Sequence, residues 1–168
     1  MQLRDYQEQI VTSNLDAKSR GVGATLNGLF TGAGKTVIFC TMASRMPGRT
    51  LIAVPLRELA WQTVDKVRDV AGLDPGLEMG EFRSDEGDWW SPKVVVASKQ
   101  TLLRKRCGEY RYTKFRDISL VIADEAHLMC SEPCIAMFRH FQSLGAMVAG
   151  FTATPFRMDG KAMMKVAQ

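Results

Sequence analysis

Along this chain, short runs of apolar residues alternate with longer stretches in which apolar positions return every three or four residues. The runs at 24–30, 50–54, 93–97, 119–123 and 146–151 lack the period-two alternation of a half-solvated strand, so they read as strands buried on both faces. After Pro55, Leu56, Leu59, Ala60, Val64, Val67 and Val70 follow helical spacing, and Gly72 stands where a helix stop is expected. Residues 35–46 repeat the pattern with Ile38, Met42 and Met46 ahead of Pro47-Gly48, as do Ile135, Phe138 and Phe141 ahead of the last run. Strand followed by helix, repeated, predicts an α/β domain around a parallel sheet. Residues 74–92 break this rhythm with glycines, acidic side chains and Trp89-Trp90, and read as a short strand or loop excursion.

Two of the runs end in polar residues that packing alone does not explain. Thr31-Gly32-Ala33-Gly34-Lys35-Thr36 lies between the first run and a helix. In that context glycines let backbone N–H groups turn around phosphate oxygens. Lys35 would bring a point charge to the β and γ phosphates of a nucleotide, and the Thr36 hydroxyl can ligate Mg2+. The strict phosphate-loop spacing wants a glycine at position 29; here that residue is Leu29, and Gly28 comes one place too early. Leu120-Val121-Ile122-Ala123-Asp124-Glu125-Ala126-His127 carries an apolar strand into two adjacent carboxylates, a costly placement unless a cation or a catalytic task uses them. Open α/β sheets bind ligands at that end of their strands. Asp124 is then the natural Mg2+ partner of Thr36, and Glu125 is placed to take a proton from the water that attacks the γ-phosphate.

Asp124-Glu125-Ala126-His127 is a DEAH box, and together with residues 31–36 it makes the chain resemble the first RecA-like domain of superfamily 2 helicases. The resemblance implies a RecA-like P-loop NTPase fold, a three-layer α/β sandwich around a mostly parallel sheet, with ATP and Mg2+ as ligands. Further segments agree in order. Leu3-Arg4-Asp5-Tyr6-Gln7 is similar to the Q motif, which implies that Gln7 reads the adenine edge with Arg4 beside it. An amide suits adenine because it donates and accepts at once. Val54-Pro55-Leu56-Arg57-Glu58-Leu59-Ala60 and Ala97-Ser98-Lys99-Gln100-Thr101-Leu102 are similar to motifs Ia and Ib, which implies that Arg57, Gln100 and Thr101 hold nucleic-acid backbone. Gly150-Phe151-Thr152-Ala153-Thr154-Pro155-Phe156-Arg157 is similar to motif III, which implies that Thr152 and Thr154, with His127, couple the nucleotide site to the nucleic-acid track. The ending Phe156-Arg157-Met158-Asp159-Gly160 resembles bacterial and phage DEAD-like repair helicases, which favours DNA over RNA.

Composition adds limits. A hydrophobic fraction of 46% over 168 residues supports one domain with its own core, without disulfides or metal. A net charge of +4 and a pI near 9.0 favour an anionic partner mildly, since both signs are spread along the chain. Cys40, Cys107, Cys130 and Cys134 fit a reducing cytoplasm; no secretory pattern precedes Leu3, and no apolar run is long enough to span a bilayer. His127, Cys130, Cys134 and His140 lack the paired knuckle spacing of a zinc site. Trp89 and Trp90 alternate faces on an extended chain, so one packs inward as readily as both stack bases. Arg104-Lys105-Arg106, with Arg111, Lys114 and Arg116, is balanced between phosphate contacts and a solvated face.

In the family, a second RecA-like domain sets an arginine against the γ-phosphate. The expectation is therefore a single domain over residues 1–168 that meets such a partner in cis or in trans, and that alone hydrolyses ATP slowly without unwinding. Two other readings stay open: a nucleotide-dependent switch or binding module, and a translocase subunit of a restriction or remodelling complex that moves on duplex DNA without separating its strands.

Overall fold

The computed structural model describes residues 3–84 and 91–153; Trp89, Trp90, Thr154 and the rest of the segment after Ala153 lie outside the described residues. In chain order the elements are α1 (Asp5–Ser19), β1 (Ala24–Gly28), α2 (Lys35–Arg45), β2 (Arg49–Val54), α3 (Arg57–Ala71), β3 (Gly76–Glu78), β4 (Val94–Ser98), α4 (Lys99–Leu102), β5 (Lys105–Arg106), β6 (Glu109–Tyr110), β7 (Ile118–Ala123), α5 (Glu132–Ser143) and β8 (Met147–Thr152). Six strands pair in the order β1-β8-β7-β2-β4-β3, every pair parallel, while β5 and β6 form a separate antiparallel hairpin.

The apolar runs are continuous because both faces of the sheet are covered. Along β2, Ile52 and Val54 join one core with residues of α1, α2 and α3, while Leu51 and Ala53 join the other with Phe138 and Phe141 of α5. The result is the three-layer α/β arrangement expected. Gly72 ends α3 in the left-handed conformation at φ 64, where a side chain would be strained.

One expectation is corrected. The run at 24–30 is not a buried strand: among the described strands β1 has only β8 beside it, and Leu26 stays 43% exposed. The excursion at 74–92 takes the short-strand form the sequence allowed: it supplies β3, which pairs with β4 and extends the sheet. Helix α1 escapes apolar periodicity because its inward face is partly polar. Gln7, Val11, Asn14 and Ala17 are its buried positions. Asn14 donates to the Ile10 carbonyl at 2.8 Å and to Asn27 at 2.9 Å, and accepts from Thr25 at 2.6 Å. These bonds satisfy a side chain that would otherwise be costly to bury. No helix among the described residues is long and apolar enough to cross a membrane.

Candidate functional site

Parallel strands deliver all their C-terminal ends to one edge. Gly28 lies opposite Thr152, Ala123 opposite both Ala53 and Gly150, and Val54 opposite Ser98. The loop after β1, the carboxylates after β7 and the end of β8 therefore meet there, as sheets of this kind arrange their ligand crevices.

The loop leaves β1 under control of its neighbour: the Leu29 N–H donates to the Thr152 carbonyl at 2.9 Å. Gly32 (φ 87) and Gly34 (φ 75) occupy the left-handed region. The Ala33 carbonyl accepts from the Tyr6 hydroxyl at 2.8 Å and from Gln7 Nε2 at 3.2 Å, which ties the loop to α1. A Cβ on Gly34 would fall 2.6 Å from Gln7 Nε2, the movable end of that side chain, so φ is what requires glycine here and a side chain would also displace the Gln7 amide. Helix α2 then starts at Lys35 with no side-chain cap, which leaves its first-turn N–H groups open to an anion. We expect Gly34→Ala to weaken nucleotide binding about tenfold, from about 1–2 kcal/mol of backbone strain plus displacement of Gln7. Titration with a fluorescent ATP analogue checks this, and unchanged affinity would remove Gly34 from the site.

Across the crevice, Lys35 Nζ and Glu125 Oε1 are 2.9 Å apart, with the two side chains 12% and 28% exposed. Glu125 adopts φ 47 and ψ 54, a left-handed conformation that costs a non-glycine residue about 1–2 kcal/mol and often marks a functional turn. The Asp124 N–H donates to the Ala53 carbonyl at 3.0 Å, and Asp124 Oδ1 accepts from the Glu125 N–H at 3.0 Å. Burial, and then the neighbouring Glu125 charge, push the Asp124 carboxyl above its ordinary pKa; the Glu125 N–H and Lys35 offset this only in part. A divalent cation is the ligand that restores such a carboxylate to its ionised form, so the donor chemistry of Asp124 with the Thr36 hydroxyl fits Mg2+. His127 Nδ1 lies 2.9 Å from Thr152 Oγ1 and 3.4 Å from Glu125 Oε2. One chain of contacts thus joins Lys35, Glu125, His127 and Thr152.

Gln7 is buried and makes a reciprocal cap: its Oε1 accepts from the Arg4 N–H at 3.0 Å. One N–H and one lone pair of the amide remain by valence, the complement of an adenine edge. Arg4, Thr31 and Gly32 are exposed beside it.

A second group gathers at the ends of β2 and β4. Arg57 opens α3 and is exposed, and its Nη2 sits so near Gly80 (φ 58) that a Cβ there would come within 2.6 Å. Gln100 is exposed on α4. Thr101 departs from expectation: it is 6% exposed, and its hydroxyl accepts from Ser98 Oγ at 2.8 Å and from the Gly80 N–H at 3.3 Å. A hydroxyl committed to the Ser98 cap and to Gly80 positions this surface from behind and does not reach out of it. Trp61, one turn after Arg57, meets Phe82 edge-on at 5.2 Å and pins the Gly80 turn to α3. Sequence reading missed Tyr6, Gly80 and Ser98. Of these only Ser98 carries a local signal, as an N-cap before a short helix.

The family described as Type III restriction enzyme, res subunit, matches residues 1–157. Among curated proteins, the chain is 34% identical over 161 residues to the DNA 3'-5' translocase XPB2 of Sulfurisphaera tokodaii, covering 96% of this chain and 33% of that protein. Two further relatives carry ATP-dependent helicase in their names. The chain spans between 25% and 33% of the length of these curated relatives. Among solved structures, the Hef helicase domain of Pyrococcus furiosus superposes with a TM-score of 0.71 at 26% identity, covering 98% of this chain and 35% of that one. The UvsW helicase of bacteriophage T4 has the same fold, with a TM-score of 0.71 at 21% identity over 99% of this chain and 58% of its own.

Proposed function

We propose, from the premise that this chain belongs to the family described as Type III restriction enzyme, res subunit, that its first RecA-like domain hydrolyses ATP to drive movement on DNA. The observation that carries the reading is the 2.9 Å contact between Lys35 and Glu125, which joins the loop after β1 to the carboxylates after β7. Residues 31–34 and the open first turn of α2 would cradle the phosphates, with Gln7 and Arg4 beside the adenine. Thr36 and Asp124 would hold Mg2+, which when bound neutralises charge on the phosphate oxygens.

The side chains divide the work. Lys35 exchanges Glu125 for the β and γ phosphate oxygens, and the freed Glu125 carboxylate takes the proton of the attacking water. His127 and Thr152 report the change to the end of β8, and Thr154, outside the described residues, continues that path in our reading. Arg57 and Gln100 grip the nucleic-acid backbone without reading sequence, and Thr101 holds the surface they share. DNA is preferred to RNA because the relative from Sulfurisphaera is named a DNA translocase. The same name, with the family's restriction-enzyme description, supports translocation on duplex DNA without strand separation as the second reading. A reducing compartment such as the cytoplasm belongs to this reading, supported by the thiols of Cys40, Cys107 and Cys134.

A second RecA-like domain, in cis or in trans, would supply the arginine that stabilises the transferring phosphoryl, a contribution of about 10³ to 10⁵ in rate. The 168 residues by themselves should hydrolyse ATP slowly and leave duplexes paired. Phosphate release, with and without DNA, and a strand-displacement assay test this together. Robust unwinding by these residues alone would overturn the division of labour.

A further inference from the structure

The proposed motor leaves the basic stretch 104–116 without a task. This segment leaves α4 near the C-terminal edge of the sheet, because α4 follows Ser98 directly. It enters β7 at the opposite edge, where Arg49 and Asp117 pair at 3.0 Å. It therefore travels down the flank of the domain for the length of a strand, about 20 Å for the six residues of β7. Partway along, it folds into the β5–β6 hairpin, turned by Cys107 (φ 52) and Gly108 (φ 86), left-handed as a two-residue hairpin turn requires.

A cavity of about 570 Å³ opens on this flank, lined by Arg83, Arg104, Lys105, Arg106, Lys114 and Arg116, with Glu109 the one acidic residue among the described residues that line it. Among the described residues, Arg104, Lys105, Arg106 and Arg116 have no carboxylate within ion-pair distance. Such crowding of like charge is unfavourable until a polyanion neutralises it. Lys105 is held in place by its position 4.8 Å over the Tyr110 ring, which stacks on Tyr112 at 5.3 Å. The flank is also physically joined to the Arg57 surface. Arg83 and Arg111 both donate to the Gly80 carbonyl, at 2.7 and 2.9 Å, while the Gly80 N–H donates to Thr101.

We propose that this flank is a second phosphate-binding surface, which takes the backbone of a duplex arm leaving the Arg57–Gln100 surface. The inference rests on the reading of the chain as a DNA motor. The Arg57 surface lies across the strand ends and the flank runs along the strands; a duplex, stiff over about 150 base pairs, keeps its phosphates at fixed spacing along such a flank. A duplex strand carries a phosphate about every 3.4 Å of helix axis and winds away from any one face within half a turn, so about three or four phosphates face a flank of about 20 Å, a match for Arg104, Lys105, Arg106 and Arg116.

The test compares Arg104→Ala/Lys105→Ala/Arg106→Ala with the charge-conserving Arg104→Lys/Arg106→Lys. Fluorescence anisotropy would follow a duplex of about 30 base pairs and a single strand of about 10 nucleotides, between about 50 and 200 mM salt. The triple variant should raise the duplex Kd about tenfold or more and flatten the slope of log K against log salt by about 2 to 3, leaving the short single strand within about twofold. The charge-conserving variant should match the unaltered chain. Intact duplex binding with an unchanged slope in the triple variant overturns the flank alone, as does an equal loss on both ligands. Failure of the unaltered chain to bind either ligand overturns the DNA reading and the flank with it.

Discussion

Glu125→Gln should reduce ATP turnover by about 10² to 10⁴ while leaving nucleotide affinity intact or tighter. The substitution keeps the shape of the side chain at a backbone position whose left-handed geometry is set by the turn after β7. It removes the one property the proposed mechanism needs, a carboxylate able to take a proton. It also releases Lys35 from its 2.9 Å ion pair, so phosphate oxygens no longer compete with Glu125 for the ammonium. Lys35→Ala should lose turnover by a different route, through weakened binding of the β and γ phosphates. Single-turnover hydrolysis combined with nucleotide titration separates the two. If Glu125→Gln turns over at the unaltered rate, Glu125 is not the base and the Lys35–Glu125 contact is structural.

The second large effect concerns stability. Glu78 on β3 is fully enclosed, with Arg111 against Oε1 as an ion pair, Lys114 at 2.8 Å from Oε2, and the Ser84 N–H and hydroxyl each at 2.9 Å from Oε2. Removing one partner of a buried ion group leaves the others uncompensated, so Glu78→Ala should destabilise the fold by about 3–5 kcal/mol. For a domain of this size that is a fall of about 10 °C in Tm. Burial pushes the Glu78 carboxyl up, but Lys114 and the Ser84 bonds outweigh it and hold the pKa below the ordinary value. The folded pKa is thus depressed. The stability Glu78 contributes is present in full above the unfolded carboxylate pKa and is lost as pH falls through the folded one. The Tm gap between the unaltered chain and Glu78→Gln should therefore be wide near pH 7 and narrow as pH falls below the ordinary carboxylate range. A gap that stays constant over this range would mean that the charge of Glu78 does not stabilise the fold.

The same cluster shows why the surface around Gly80 was harder to read than the crevice at residues 31–36 and 124–127. Residues 31–36 and 124–127 are contiguous, and each declares its chemistry through a strand that ends in residues packing does not want. Gly80 sits in an irregular excursion, yet it is where Arg57, Arg83, Thr101 and Arg111 converge. Nothing in the spacing of those residues brings them together. Thr101 illustrates the cost: its motif suggests an outward contact, while its hydroxyl is spent on Ser98 and Gly80.

Local pattern was sufficient for the α/β class, the faces of α2, α3 and α5, and the placing of the glycine loop and the carboxylate pair at strand ends, because each depends on neighbours within a turn or a strand. Strand order was beyond it. β1 and β2 are consecutive in the sheet's sequence but are separated by β8 and β7 in space. That crossing sets Lys35 against Glu125 and His127 against Thr152, leaves β1 half-exposed, and sends the basic stretch down one flank. Such contacts join residues far apart along the chain, and they are selected by the packing of whole layers, which periodicity within any one segment does not record.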